Sequence, residues 1–145
     1  MKLLLFVILL GLYSSTYAQD WSLDIDDAIP VAAAEGRNVL IVFQGSDWCA
    51  PCMKLEREIL ETDTFKAFAK DHLVLVKADF PRKKKNRLSK EQQQKNEALA
   101  DHYNTEGIFP LVVLIDKERH ILGKTGYKNI PPEEYVNELI TLTNN

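Results

Sequence analysis

Two cysteines three positions apart, directly after an apolar run, constrain this chain more than any other feature. Val39-Leu40-Ile41-Val42-Phe43 leads into Ser46-Asp47-Trp48-Cys49-Ala50-Pro51-Cys52, and an amphipathic run, Met53-Lys54-Leu55-Glu56-Arg57-Glu58-Ile59-Leu60, follows. The pattern reads as strand, short turn and helix. Five consecutive apolar residues mark a strand buried on both faces, so Asn38 to Gln44 is expected at the centre of a sheet. The thiols then lie on the first turn of a helix, where unpaired N–H groups and the helix dipole favour negative charge. A free thiol has a pKa of about 8.5, and CxxC pairs at helix starts reach roughly 3.5–7.5. Cys49, nearer the helix end, is the expected nucleophile. Cys52, one turn further in, is the expected resolving thiol. Pro51 fits because the first turn needs no N–H from it.

Two plainer readings compete. A zinc site wants four ligands, usually two such pairs or one pair with two histidines. The chain has only these two cysteines, and His72, His102 and His120 are scattered. No metal is therefore expected. A purely structural disulfide gains more from a longer loop than this one. Redox work is the favoured reading, with the disulfide itself as the only redox group and no further cofactor.

The 145 residues suffice for one domain with a core. A net charge of −3 gives no reason to expect nucleic acid, and two cysteines are too few to staple a small scaffold. Residues 1–18 read as a secretory signal peptide. Lys2 supplies the basic start, Leu3 to Tyr13 the apolar core, and Thr16-Tyr17-Ala18 the cleavage end. The alternative, an uncleaved anchor, needs about 20 apolar residues. Export matches the chemistry, because disulfides persist outside the cytoplasm. The chain is expected to be periplasmic, or otherwise secreted, with no stable membrane anchor after cleavage.

Along residues 19–145, Trp21-Ser22-Leu23 is a short edge strand. Asp24 to Glu35 is helical, capped by Asp24 or Asp26, with Ile25, Ala28, Ile29, Ala32 and Ala33 on its apolar side. Pro30 predicts a kink or a late start, and Gly36 a stop. Thr62-Asp63 caps a helix with Phe65, Phe68 and Ala69 buried, and Leu73 to Asp79 is the next central strand. The run Arg82-Lys83-Lys84-Lys85-Asn86-Arg87 reads first as a solvated loop, and secondly as a grip for an acidic partner. Ser89 and Gln92 form a capping-box pattern. The helix after them runs to about Tyr103, burying Ala98, Leu99 and Tyr103. Leu111 to Asp116 and Ile121 to Tyr127 make a hairpin about Lys117-Glu118-Arg119. Pro131-Pro132 opens a last helix with Tyr135, Val136, Leu139 and Ile140 inward. The order is α/β, with a central mixed β-sheet flanked by helices and no repeat.

With Trp48-Cys49-Ala50-Pro51-Cys52 at the first long helix and Phe109-Pro110 opening a later strand, the sequence resembles the thioredoxin superfamily. The phrase Phe43-Gln44-Gly45-Ser46-Asp47-Trp48-Cys49 is similar to exported thiol:disulfide interchange proteins of that superfamily. The resemblance implies a thioredoxin fold over residues 19–145, with a cis Pro110 packed against the dithiol. It implies that the Phe109 backbone receives an extended peptide, that Gly126 flanks the same surface and that Trp48 shapes its mouth. It implies a thiol–disulfide oxidoreductase, reducing disulfides of exported proteins and recharged by an electron donor. Three features depart from the pattern. Val42 or Phe43 stands where a buried acid is expected, leaving Asp47 and Glu56 as candidates for proton transfer. Arg57 stands near the place of a helix-kinking proline. The basic segment of about 81–94 is an insertion and the expected seat of partner specificity. The rival functions are a copper-handling dithiol, with Met53 expected in the core, and a redox-inert chaperone using Pro110 alone.

Overall fold

The apolar run occupies the middle of a five-stranded sheet. In a computed structural model describing residues 19–144, β2 (Asn38–Gln44) lies between β3 (Leu73–Asp79) and β4 (Leu111–Ile115). The expected leader, residues 1–18, falls outside the described residues. β1 (Trp21–Ser22) pairs in parallel with β3, and β3 in parallel with β2. β4 runs antiparallel to β2, and β5 (Ile121–Thr125) antiparallel to β4. The strand order is β1-β3-β2-β4-β5.

Side chains alternate across β2, so its continuous apolar run feeds two cores. Val39, Ile41 and Phe43 meet Ala28 and Ala32 of α1 (Ile25–Glu35) and Leu99 and Tyr103 of α4 (Lys90–Tyr103). Leu40 and Val42 meet the other layer. That layer is α2 (Ala50–Leu55), α3 (Asp63–His72) and α5 (Pro132–Thr143), through Leu55, Phe65, Ala69, Tyr135 and Leu139. Burying each aliphatic side chain contributes about 1.5–3 kcal/mol, and β2 lies where both layers draw on it. Among the described residues, no helix is long and apolar enough to cross a membrane.

Caps follow the sequence. Asp24 accepts the Asp26 N–H, Thr62 that of Phe65, and Ser89 that of Gln92. Gly36 ends α1 at φ 65°. Several local expectations change. Pro30 lies inside α1, which starts at Ile25 rather than late. Pro30 and Asp26 are both exposed, so the carbonyl that loses its helical N–H partner is on the solvent side. Ala33, Ala98 and Ile140 are exposed, and Asn96 takes the inward place on α4. Asn96 is buried because it donates to the Asp79 carbonyl at 2.8 Å and accepts from Gln92 at 2.9 Å. A polar residue so satisfied is tolerated in a core. β5 stops at Thr125, two residues short of Tyr127. Met53, expected in the core, is exposed.

α2 does not continue as one regular helix. At Glu56–Leu60 it widens into a π-helical stretch, closed by Glu61 N–H to the Glu56 carbonyl at 2.9 Å. This is the position near Arg57 where the kinking proline is missing. A π-bulge is another recognised way to redirect a helix.

Candidate active site

β2 ends at Gln44, and the turn to α2 begins at Gly45. The Gly45 carbonyl accepts the N–H groups of Trp48 (3.3 Å) and Cys49 (2.9 Å). Cys49 is the N-cap of α2, and its Sγ accepts the Cys52 N–H at 3.3 Å. Cys49 and Cys52 are joined in a disulfide with Cα atoms 5.2 Å apart. Both are nearly enclosed, at 4% and 3% exposure, so burial does not distinguish them. Position does: only the Cys49 sulfur receives a helix N–H, the donor that stabilises a thiolate when the bond opens.

The disulfide adjoins a shallow cleft lined by Trp48, Phe80, Arg82, Gly107 and Phe109. Phe109 meets Trp48 and Phe80 edge-on, with ring centroids 5.5 and 5.4 Å away. The Trp48 indole donates to the Phe80 carbonyl at 2.8 Å and lies over Gly45, where any β-carbon would collide with its ring. The Phe109–Pro110 bond is cis. Leu111 pairs with Phe43, so Pro110 stands at the end of the sheet from which the chain turns towards Cys49. A β-carbon on Gly126 would lie 3.3 Å from the Pro110 carbonyl oxygen, which places Gly126 against the same segment.

Two carboxylates clamp the insertion to this turn. Asp79, at the end of β3, accepts the Ser46 N–H (2.9 Å) and hydroxyl (2.6 Å). Asp47, in the turn, reaches the other way. Its Oδ1 accepts the Arg82 N–H at 2.9 Å; its Oδ2 accepts the Lys83 N–H and the Asn86 amide, each at 2.9 Å. The Arg82 N–H first, then the Asn86 amide, hold the Asp47 carboxyl at a pKa of about 2. A carboxylate with both oxygens engaged and so low a pKa is a poor proton carrier near neutrality. Asp47 therefore serves as a loop anchor, and the proton-transfer role expected of it does not suit this geometry.

Glu56 opens the π-helical stretch and pairs with Lys77 at 3.0 and 3.2 Å. Lys77 also lies 4.3 Å over the Trp21 ring. The Glu56 N–H reaches back to the Cys52 carbonyl. Val42 and Phe43 are fully buried apolar residues, so β2 carries no acid there.

Asn104 escaped the sequence reading. It is 4% exposed, donates to the Ile108 carbonyl at 2.8 Å and accepts the Ile108 N–H at 2.9 Å. It thereby fixes the turn that delivers Phe109 and Pro110. An asparagine just after a helix, three residues before Gly107, was the available signal. Tyr127, just beyond β5, donates its hydroxyl to Glu58 at 2.5 Å. At the distal hairpin Asp116, Glu118 and His120 gather, but Asp116 Oδ1 already accepts the N–H groups of Glu118 and His120.

Sheet order, helix layers and a disulfide at a helix N-terminus define a thioredoxin-fold dithiol–disulfide protein. A family model described as Thioredoxin-like matches residues 20–117, and the chain belongs to that family. It is 36% identical over 113 residues to the disulfide bond reductase DsbH of Chlamydia pneumoniae, covering 78% of this chain and 66% of that protein. It is 30% identical over 102 residues to the thioredoxin-related protein DsbJ of the same organism. That match covers 70% of this chain and 28% of DsbJ. A solved structure titled DsbH oxidoreductase superposes with a TM-score of 0.81 at 32% identity, covering 88% of this chain and 86% of that one. The chain thus spans about two thirds of one curated relative and under a third of the other.

Proposed function

We propose that the chain is an exported thiol:disulfide oxidoreductase that reduces disulfides of other exported proteins. The Cys49–Cys52 disulfide at the N-terminus of α2, beside an open aromatic cleft, carries this reading. The similarity to a disulfide bond reductase favours the reducing direction. The apolar leader at 1–18 and the similarity to proteins of the Dsb type favour the periplasm.

In the reduced protein, the Cys49 thiolate attacks one sulfur of a substrate disulfide. The Cys49–substrate bond forms, the substrate S–S bond breaks, and the departing sulfur takes a proton. Cys52, losing its proton, then attacks the Cys49 sulfur and releases the second substrate thiol. The protein is left oxidised as Cys49–Cys52, and an external dithiol donor returns two electrons and two protons. No cofactor beyond this pair is needed. The Cys52 N–H stabilises Cys49 as thiolate and as leaving group. Glu56, four residues beyond Cys52 and paired with Lys77 of β3, is the carboxylate offered to take the Cys52 proton. The Phe109 backbone and Pro110 receive an extended substrate, with Trp48 and Gly126 at its borders.

The test is the reduction potential of the pair, set by glutathione or dithiothreitol buffers and read by tryptophan fluorescence and thiol labelling. A value near about −270 mV is expected for a reductant. A value towards about −120 mV would make the protein an oxidant, and the lack of any reversible couple would remove the redox reading.

A further inference from the structure

The basic insertion is fixed beside the disulfide rather than free. Asp47 holds the backbone of Arg82 and Lys83 and the Asn86 side chain, while Phe80 N–H bonds the Gln44 carbonyl at 2.9 Å. The Arg82 guanidinium stacks 3.7 Å over the Trp48 ring, and so forms part of the cleft itself. Lys83, Lys84, Lys85 and Arg87 continue outward along the same loop, all exposed, with Lys84–Asn86 in a 3₁₀ turn. No acidic residue occurs between Phe80 and Lys90, in a chain whose net charge is −3. Among the described residues, none of these five side chains makes an ion pair with an acid. Asp47, at the base of the loop, is the one carboxylate bound to it, so most of this charge faces solvent, beside the cleft that Arg82 lines.

We propose that the segment 82–87 is a recognition arm for substrate proteins that carry carboxylates next to the disulfide to be reduced. The acidic flank of the substrate lies along the arm while its disulfide lies over Cys49. This rests on the reductase reading above and names its substrate class. Electrostatic complementarity of this kind raises association rates and orients the encounter. A free basic loop would attract anions without orientation. This one is tethered at its base by Asp47, so the backbone that carries the charges stays beside the cleft. An anionic lipid surface would also attract the lysines, but the seating of Arg82 on Trp48 inside the cleft favours a peptide.

The experiment uses the reduced protein and two matched peptides, each linked through its single cysteine to 5-thio-2-nitrobenzoate. One has glutamates flanking the cysteine and the other glutamines. Attack by Cys49 on the peptide sulfur releases the coloured thiolate, and Cys52 then frees the peptide thiol. At low ionic strength the acidic peptide is expected to react ~10-fold faster than the neutral one, a ratio shrinking towards ~2-fold in high salt. In K83Q/K84Q/K85Q/R87Q the ratio should collapse towards one, and R82Q should lower it partly. Equal rates in the unmodified protein, or a ratio retained in the fourfold variant, would overturn the arm while leaving the reductase intact. Equal rates together with arm-dependent cosedimentation on phosphatidylglycerol vesicles would assign the patch to lipid and likewise overturn it. If neither peptide releases the thiolate, the thiol chemistry fails, and the arm with it.

Discussion

The two walls of the cleft are built by different chemistry. The wall after β3 carries Phe80 and Arg82 and is held by carboxylates, Asp79 on Ser46 and Asp47 on the loop backbone. The wall before β4 carries Gly107 and Phe109 and is held by one neutral carboxamide, Asn104, bound to Ile108 between them. The first wall's anchor is ionisable and near solvent. The second wall's anchor is buried and without charge. Contacts of similar length therefore answer differently to pH, salt and substitution: the cleft has one adjustable side and one fixed side.

Breaking the fixed side should have the larger effect. Asn104→Ala removes both hydrogen bonds to Ile108 and leaves its N–H and carbonyl without that partner. Ile108 is exposed, so water can replace the partner; the two bonds contribute about 1 kcal/mol each and the emptied buried site about as much again, so a loss of about 2–3 kcal/mol is expected in urea unfolding. Activity should fall as well, because Phe109 and Pro110 lose their support. Unchanged stability would remove Asn104 as the anchor of that wall.

Next comes the floor between the walls. Gly45→Ala places a methyl group in the Trp48 ring. The indole must move, giving up its bond to the Phe80 carbonyl, at an overpacking cost of about 1–3 kcal/mol. Tryptophan fluorescence should report the displacement. A crystal structure of the variant with Trp48 unmoved would contradict it.

The smallest effect sharpens the contrast itself. The folded-state pKa of Asp47 is depressed to about 2. Its anchoring contribution is thus complete above the ordinary carboxyl range, near 3.8, and is lost as pH falls through about 2. In amide NMR spectra the Arg82 and Lys83 signals should titrate together with a midpoint near 2, while the Ile108 signal stays put. Asp47→Asn should abolish the titration. Concerted movement of all three amides would mean that the two walls are not independent.

The same contrast explains what could be read from the sequence. β2, the CxxC turn and the inward faces of α3 and α5 follow periodicity and local caps, which a linear pattern records. Asp47 and Asn104 act by hydrogen bonds from single side chains to backbone. The partners of Asp47 lie 35 and more residues away, and no repeat or composition marks such a pairing. Asp47 could be singled out by its closeness to Cys49, but that closeness suggested proton transfer rather than anchoring. On α4, hydrophobicity favoured Ala98, while the structure buries Asn96 because the Asp79 carbonyl needs a donor. The π-helical stretch is equally silent in the sequence, since Glu56 to Leu60 are ordinary helix formers.

That stretch has a bearing on how such a protein can vary. Relative to a regular helix it holds one surplus residue, which turns everything beyond it by roughly 100°. Ile59 and Leu60, at the end of that stretch, both face the core. The cysteine-bearing turn and the core-bearing turn of this helix are geared apart by a single inserted position. Deleting one residue at Arg57 would couple the two again, and would force a choice between the core and the aim of the disulfide.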